Sequence, residues 1–426
     1  MTLRVSKSRY IEKVVALLAI LGIAMCGTFT NCQNFRPLSV SDSPLIDSLL
    51  QTGGGTLGRI LDDAQNHRVQ IIYTRIDRDA NNVPHFRHYG YLLDTTAYFF
   101  PASMVKLPTA AIALEKLNLI GKQGIGKGTR VSFEPVMACQ KGENEDSTSE
   151  TGYPCIGHYV RKVFLTSDNP AQNRLYDFVG RKHLNERLWK MGYGSARITL
   201  PVHSCDSRSE NYGTAVNFHN KSGKVIYRQE PYLHEDPIVN PFGNAKVGVA
   251  HFTDDGKYHS KPWDFTRSSF ISLWDLHRIL ISIIFPEQVE SSKRFILKPK
   301  DLYFLKKYMS MLPRESEYPK YDTASVQEAI VKYLVYGREN ERIPDHIRIF
   351  NKVGMGFGFL TDCAYIVDTD AGAEFFLSAV VYVNEDETIN DNKYDYHTTG
   401  LPFLKNLGKL FLEFEQNRPR TFRPKW

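Results

Sequence analysis

The order of extended and helical segments is the feature that most restricts how this chain can fold. Residues 67–77 and 85–100 have the composition of strands, with RDANNVP as the turn between them. Residues 347–369 and 373–385 repeat that composition near the other end of the chain. Most of the sequence between them is helical in pattern, and residues 401–417 predict a closing helix. We therefore expect an α/β sandwich whose first and last segments share one sheet, with a mainly helical lobe between them.

The N-terminus has the composition of a secretory signal. The apolar run VVALLAILGIAM follows four basic residues, Arg4, Lys7, Arg9 and Lys13. This run is too short to span a bilayer comfortably. We expect residues 1–32 to be a signal or lipoprotein signal and residues 33–57 to be a tether. The protein is then exported, to the periplasm or to the outer face of a membrane.

Two cysteines near the apolar run are candidates for a lipid anchor. Cys26 ends the run and Cys32 follows it. The residues before them, Met25 and Asn31, are not the small residues that lipoprotein signals prefer. A lipidated cysteine, a cleaved signal and an uncleaved membrane anchor therefore stay open at this point.

Composition indicates a globular domain without a nucleic-acid surface. Hydrophobic residues make up 42% of the 426 residues, the formal net charge is +6, and lysine and arginine are scattered. Cys139 and Cys155 bracket a polar loop and are the favoured disulfide pair, although sequence alone cannot fix the connectivity. Because no cysteine or histidine cluster has metal-ligand spacing, we predict no structural zinc and no cofactor.

Two glycine-rich stretches resemble nucleotide-binding motifs but lack their context. GKQGIGKG, residues 121–128, approaches a P-loop, yet it ends in Gly128 instead of serine or threonine and follows a helix instead of a strand. GMGFGF, residues 354–359, lacks the helix that a dinucleotide site requires. We therefore interpret both stretches as turns.

A serine and a lysine lie three residues apart at the start of a predicted helix. In FFPASMVKLPTAAIALEKL, residues 99–117, Ser103 and Lys106 would project from one helical face. Taken alone, the pair is equally compatible with a capping serine and a solvated lysine. Two further strings change this interpretation: Ser167-Asp168-Asn169 after a predicted helix, and Lys352-Val353-Gly354 on a late strand.

Together, the three strings resemble the S-x-x-K, S-D-N and K-[ST]-G motifs of the penicillin-recognising serine enzymes, the class A β-lactamases and penicillin-binding proteins. The resemblance covers residues 58–416 as one domain and leaves residues 417–426 as a tail. It implies a three-layer sandwich with an antiparallel sheet flanked by helices, in addition to the helical lobe. It also implies the site residues: Ser103, Lys106, Ser167 and Lys352 as catalytic, and Asn169, Val353, Gly354 and Met355 as substrate-binding.

The chemistry of such a site explains the choice of residues. A serine hydroxyl becomes a nucleophile when a nearby base takes its proton, and a desolvated lysine beside another cation can be that base. The resemblance gives Lys106 this role, with Lys352 as the cation. Ser167 passes a proton to the leaving nitrogen, Asn169 holds Lys106 and the substrate amide, and the N–H groups of Ser103 and Met355 form the oxyanion hole.

The sequence departs from the family pattern in three places. No E-x-x-L-N glutamate occurs in residues 195–211, where a match of Arg197 would put that position near Val202 or His203. The substitutes in that stretch are His203, Asp206 and Glu210, which are equally compatible with plain surface-loop residues. Val353 lacks the hydroxyl that contacts a substrate carboxylate, a loss of about 1.5–3 kcal/mol. The extra length points to insertions at about 211–264 and 315–345.

We therefore expect an enzyme, a serine acyl-enzyme hydrolase that acts on the amide of β-lactams or of a related acyl substrate. Two alternatives stay open. One is a peptidase- or transpeptidase-like penicillin-binding enzyme with slow deacylation and a peptidoglycan-type substrate. The other is a non-catalytic, surface-anchored binding protein on the same scaffold. The expected partners are a small-molecule acyl donor and the membrane, but not nucleic acid.

Overall fold

The computed structural model describes residues 41–42, 44–121, 124–138, 140–199, 212–234, 238–240 and 245–425. The predicted signal, with Cys26 and Cys32, lies outside these ranges. The α-helices of the described ranges are α1 (Pro44–Gln51), α2 (Gly55–Asp62), α3 (Lys106–Ile120), α4 (Ile156–Leu165), α5 (Asn169–Val179), α6 (Arg181–Lys190), α7 (Leu273–Ile284), α8 (Pro299–Ser310) and α9 (Leu401–Asn417).

The strands fall into long ones near the two ends of the described chain and short ones in the middle. They are β1 (Ser41–Asp42), β2 (Gln70–Arg78), β3 (Pro84–Tyr91), β4 (Val131–Glu134), β5 (Tyr212–Gly213), β6 (Ala215–His219), β7 (Val225–Gln229), β8 (Tyr232–Leu233), β9 (Lys246–Val247), β10 (Ala250–Phe252), β11 (Tyr258–His259), β12 (Trp263–Asp264), β13 (Ile347–Gly356), β14 (Phe359–Asp368), β15 (Ala373–Tyr382) and β16 (Thr388–Ile389).

The main sheet joins the two ends of the domain, as the sequence predicts. Its order is β1-β3-β2-β15-β14-β13. All pairings are antiparallel except that of the short β1 with β3. Strand β2 from the N-terminal hairpin thus pairs directly with β15 from the C-terminal meander. The predicted antiparallel sheet is confirmed.

Both faces of this sheet are covered, which gives the expected three layers. Along β2, Ile71 and Tyr73 belong to the hydrophobic cluster shared with α1, α2 and α9. Thr74, on the opposite face because side chains alternate along a strand, hydrogen-bonds His277 of α7 at 2.7 Å. Every residue of β14 and β15 is buried, as expected for strands between two helical layers.

The helical lobe lies between the two contributions to the sheet. Helix α3 packs against α4 and α5, and α4 also packs against α8. Residues 159–193, predicted as helical, are interrupted by the Ser167-Asp168-Asn169 turn and again at Gly180, whose φ is +86°. None of the described helices combines the length and the hydropathy needed to cross a bilayer.

The structure corrects three boundaries. The domain begins before residue 58, because α1 and α2 bury Ile46, Leu50 and Leu57 in the core where the sequence predicts a tether. Strand β3 ends at Tyr91 and not at residue 100, since Leu92 takes a left-handed φ of +48° that no strand can continue. The predicted tail at 417–426 returns to the sheet.

A buried ion cluster holds the residues after α9 against the main sheet. Arg418 donates to Glu415 at 2.9 Å and to Asp77 of β2 at 2.7 Å. Glu415, with no exposed side-chain surface, also accepts from Arg420 and from the Tyr73 hydroxyl. The cluster therefore ties the end of α9 and the residues after it to β2.

The first predicted insertion, 211–264, forms short strands around the main sheet. Its β6–β7 hairpin, predicted around Asn220–Gly223, is present and pairs with β4. Strand β10 pairs with β11 and β16, and β12 pairs with β9. The insertion is thus joined to the chain that follows β15, on the side where β13 turns into β14.

The ion cluster generates a stability prediction. Glu415→Gln keeps the size of the side chain but leaves Arg420, and in part Arg418, without a buried counter-charge. We expect the free energy of unfolding to fall by about 3 kcal/mol, the low end for breaking a buried pair, because Asp77 still pairs with Arg418. Urea denaturation followed by circular dichroism measures this. The matched control, Glu413→Gln, alters an exposed residue of the same helix; equal denaturation midpoints for the two variants would contradict the prediction.

Candidate active site

Ser103 lies on a tight turn that leads directly into α3. Residues 102–105 form a single 3₁₀ turn, and the Met104 N–H donates to the Pro101 carbonyl at 2.9 Å. Ala102 holds a left-handed φ of +45°. Ser103 stays partly exposed, while Lys106, at the first helical position, is fully buried. The turn therefore presents a hydroxyl to the cleft with a buried amine directly behind it.

The Lys106 ammonium contacts the predicted site residues of the nucleophile turn and of the Ser167-Asp168-Asn169 turn. Its Nζ donates to Ser103 Oγ at 2.8 Å, to Asn169 Oδ1 at 2.5 Å and to the Ser167 carbonyl at 2.5 Å. Ser167 Oγ lies 3.3 Å away. Burial lowers the pKa of Lys106 to about 7, against the opposing effect of the Asp168 carboxylate. An appreciable fraction of Lys106 is then neutral near pH 7 and able to accept the Ser103 proton.

The three residues of the Ser167-Asp168-Asn169 turn differ in conformation and contacts. Ser167 takes a φ of +58°, an uncommon conformation for a residue other than glycine. Asp168 caps α5 by accepting from the Ala171 N–H at 2.7 Å, and Pro170 occupies the first turn of that helix. The cap fixes the turn so that Ser167 and Asn169 both face Lys106.

Lys352 reaches the same serine from the sheet. Its Nζ donates to Ser167 Oγ and to the Val353 carbonyl, each at 2.8 Å. Burial lowers the pKa of Lys352 well below its ordinary value, and the nearby Lys106 lowers it further. Ser167 Oγ is thus the meeting point of two lysines that come from opposite halves of the domain.

Glycine is required where β13 passes the nucleophile turn. A Cβ built on Gly354 would lie 2.5 Å from the Pro101 carbonyl oxygen and 3.0 Å from the Met104 side chain. A backbone oxygen or a buried side chain can move away from such a contact only if the turn itself shifts. The third residue of the K-V-G string therefore allows the strand to approach the turn that carries Ser103.

Val353 differs from the other predicted site residues. Its side chain is 2% exposed and belongs to the hydrophobic cluster on the α9 face of the sheet. Lys352 and Gly354, its neighbours along β13, face the cleft because side chains alternate along a strand. The structure therefore brings Ser103, Lys106, Ser167, Asn169, Lys352 and Gly354 together and turns the Val353 side chain away. Met355 is partly exposed at the next position of β13, and its predicted oxyanion role stays a prediction.

A buried polar network behind Lys352 is absent from the sequence-based predictions. Lys332, from the second predicted insertion, donates to the carbonyls of Met309 and Ile349 and to Asn351 Oδ1 at 2.7–2.8 Å. Asn351 donates in turn to the Asp362 carboxylate at 2.9 Å. Lysine in a turn-rich stretch looks solvated, so only a long-range contact identifies it as buried. The network anchors the stretch of β13 that carries Lys352.

The deacylation candidates and the favoured disulfide cannot be placed. Val202, His203, Asp206 and Glu210 lie outside the described residues, as do Cys139 and Cys205. Arg197 is described: it stacks on Trp189 at 4.8 Å and donates to the carbonyls of Gly194 and Ala196. Within the described ranges, no group of three or more acidic, histidine or cysteine residues has an arrangement that would hold a metal ion.

Several solved structures of β-lactamases align with most of this chain, at low similarity. The β-lactamase from Sphaerobacter thermophilus aligns with 88% of this chain and 98% of its own length, at a TM-score of 0.47 and 10% identity. The β-lactamase from Burkholderia ambifaria aligns with 85% of this chain and 99% of its own length, at a TM-score of 0.46 and 11% identity. The β-lactamase from Streptomyces albus G aligns with 85% of this chain and 98% of its own length, at a TM-score of 0.45 and 12% identity. The fold assignment therefore rests on the strand order and layers described above.

Comparison of sequences gives a more direct result. No curated protein matches the chain. A family model described as the beta-lactamase enzyme family matches residues 59–230, the segment that carries Ser103, Lys106, Ser167 and Asn169. Lys352 lies beyond the matched segment but contacts it through Ser167. Residues 59–230 of this chain are thus similar to the beta-lactamase enzyme family.

Proposed function

We propose that this protein is a serine acyl-enzyme hydrolase of the class A β-lactamase type, which cleaves the amide of β-lactams or of a closely related acyl substrate through Ser103. One observation carries the proposal: Lys106 Nζ lies within hydrogen-bonding distance of Ser103, Ser167 and Asn169, and Ser167 also accepts from Lys352. A capping serine and a solvated lysine would have no such partners. The buried amine is placed to activate the exposed hydroxyl.

Acylation follows from these contacts. Neutral Lys106 takes the Ser103 proton as Ser103 Oγ forms a bond to the substrate carbonyl carbon. The N–H groups of Ser103 and Met355, by resemblance to the family, stabilise the oxyanion. The proton then passes from Lys106 through Ser167 to the substrate nitrogen as the carbon–nitrogen bond breaks, and Lys352 orients Ser167 for this transfer by donating a hydrogen bond to its Oγ. The product is an ester between Ser103 and the acyl group.

Release of the acyl group is a separate step from acylation. Hydrolysis of the ester needs a base that takes a proton from water, and the glutamate of the E-x-x-L-N pattern is missing from the sequence. His203, Asp206 and Glu210 are the candidates in the corresponding stretch. The missing glutamate favours a second candidate function, a peptidase- or transpeptidase-like penicillin-binding enzyme with slow deacylation.

The N-terminal sequence supports a location outside the cytoplasm. The basic residues and short apolar run before Cys26 and Cys32 have the pattern of a secretory or lipoprotein signal. We propose that the domain works in the periplasm or on the outer face of a membrane, anchored through one of these cysteines. Fractionation of cells that express the full-length chain, with and without each cysteine, tests this location.

Intact-protein mass spectrometry after incubation with benzylpenicillin tests the function. We expect a covalent adduct with the mass of the penicillin, because Ser103 is partly exposed and has a base in contact. Ser103→Ala should show no adduct, whereas Ser132→Ala, which alters a serine outside the cleft, should label normally.

Nitrocefin turnover then separates the two candidate functions. Labelling with turnover indicates a β-lactamase, and labelling without turnover indicates a penicillin-binding enzyme. Failure of the wild-type protein to label contradicts both.

The lowered pKa of Lys106 predicts how acylation depends on pH. A base acts only when it is unprotonated, so with a pKa of about 7 the acylation rate should fall as the pH drops through 7, by about tenfold per pH unit below about 6. Single-turnover labelling between pH 5 and 8 measures this. Lys106→Arg, which cannot give up its proton, should acylate poorly across the whole range. A rate that stays constant between pH 5 and 7 would show that Lys106 is not the base.

The close approach of β13 to the nucleophile turn predicts the effect of a single methyl group. Gly354→Ala forces Pro101 and Met104 away from the strand, at a cost of about 1–3 kcal/mol in stability. It also moves Ser103 relative to Lys106, so acylation should slow by about tenfold or more. Gly128→Ala is the matched control, because a Cβ there meets no atom within 4 Å. Acylation of both variants at the wild-type rate would disprove the positioning role of Gly354.

A further inference from the structure

Three partly exposed aromatic rings adjoin the nucleophile turn: Phe100, Trp263 and Phe357, together called the aromatic wall below. The Phe357 ring lies 4.8 Å from that of Phe100, nearly perpendicular to it, and 5.8 Å from that of Trp263. The catalytic mechanism proposed above uses none of the three. They come from three distant parts of the chain, so no local sequence pattern brings them together.

The aromatic wall is continuous with the site. Phe100 lies three residues before Ser103, and a Cβ built on Gly356 would be 3.0 Å from the Phe100 ring and 3.5 Å from Ala102. Phe357 follows Gly356 directly, with a left-handed φ of +49° that begins the tight turn into β14. Phe357 is therefore two residues beyond Met355, directly after the end of β13.

Position along β13 indicates which part of a substrate would meet these rings. Lys352 and its partner Ser167 mark the side from which the leaving nitrogen receives its proton. Met355 follows, with the N–H proposed for the oxyanion hole, and Phe357 lies two residues further on, in the turn after β13. A substrate whose carbonyl sits at Met355 thus extends its leaving group toward Lys352 and its acyl substituent toward Phe357.

The aromatic wall has a rigid base that the first insertion supplies. Phe265, 1% exposed, lies 5.3 Å from Phe357 and 5.8 Å from Phe100 between ring centres. Its N–H donates to the Ala245 carbonyl at 3.0 Å, next to the pairing of β12 with β9. The centre of the Trp263 ring lies 5.0 Å from that of the His251 ring. The exposed ring surface is therefore held in place before any substrate arrives.

We propose that the aromatic wall is a specificity subsite that binds an uncharged aryl group on the acyl side of the substrate. Flat aromatic surfaces bind other aromatic rings by stacked or edge-to-face contact, and a preformed surface loses little entropy on binding. No carboxylate or ammonium group belongs to the aromatic wall, so it offers nothing to a charged substituent. This role rests on the acyl-enzyme chemistry proposed above and adds the class of acyl donor to it.

Two penicillins that differ only in the acyl substituent test the subsite. Benzylpenicillin carries a phenylacetyl group, and 6-aminopenicillanic acid has the same bicyclic nucleus and carboxylate without it. We expect the wild-type protein to form the Ser103 adduct with benzylpenicillin at least about tenfold faster. Trp263→Ala and Phe357→Ala should each reduce this ratio of rate constants by about threefold to tenfold, the range for one aromatic contact. Acylation by 6-aminopenicillanic acid reports whether each variant still folds around its site.

Tyr258→Ala is the matched control, because it removes an exposed aromatic residue of the same insertion. It should leave the ratio at the wild-type value. A ratio that neither Trp263→Ala nor Phe357→Ala lowers, while both variants are still acylated by 6-aminopenicillanic acid, overturns the subsite and leaves the proposed function intact.

A failure of the proposed function itself gives a different result. If neither penicillin acylates Ser103, binding of phenylacetylglycine to the wild-type protein and to the two variants is measured by calorimetry. Binding to the wild-type protein that weakens at least threefold in Trp263→Ala and in Phe357→Ala supports the aryl subsite without the acyl-enzyme chemistry. No binding to the wild-type protein, or equal binding to all three proteins, overturns it.

Discussion

Two buried lysines share one serine hydroxyl, and the geometry of the site depends on this arrangement. Ser167 Oγ accepts from Lys352 at 2.8 Å and lies 3.3 Å from Lys106. Two ammonium groups at such distances repel each other in a medium that screens charge poorly. Burial lowers the pKa of both lysines, and the nearby Lys106 lowers that of Lys352 further. In the proposed chemistry, Lys106, with a pKa of about 7, can therefore act as a base near neutral pH mainly because it is buried.

The fold holds these groups together by closing its sheet with both ends of the domain. Ser103 follows the N-terminal hairpin, Ser167 lies in the helical lobe, and Lys352 lies on a C-terminal strand. The pairing of β2 with β15 and the glycine contact at residue 354 fix the distances between these parts. Lys332 and Asn351 add a second buried anchor on β13. Contacts spread over the whole domain thus hold the two buried lysines beside Ser167.

Much of this site could be predicted because its residues lie in short strings with fixed internal spacing. Ser103 and Lys106 share one helical turn, and Ser167 and Asn169 share one cap, so local geometry alone places each pair. That the first and last segments share one sheet was also predictable, since strand-like composition at both ends requires a partner for each. Val353 shows the limit of reasoning from motifs: alternation along β13 turns its side chain into the core, away from its two neighbours in the same string.

The features that escaped prediction depend on contacts between distant segments. Lys332 is hydrogen-bonded to residues of α8 and β13, and the rings of Phe100, Trp263 and Phe357 meet across three separate regions. Neither arrangement leaves a periodic or local signal in the sequence. The start of the domain was placed too late for the same reason, because the burial of Ile46 and Leu50 depends on a cluster completed by α9.

The closing of the sheet by both chain ends also has a consequence for how the protein matures. During synthesis, the segment with Ser103 and Lys106 appears long before β13, β14 and β15, which make up three of the six strands of the main sheet. A chain that has not yet delivered β13 has no Lys352 beside Ser167. Pairing of segments so far apart in sequence is slow to form. The contacts around Ser167 are therefore complete only when nearly the whole polypeptide has emerged.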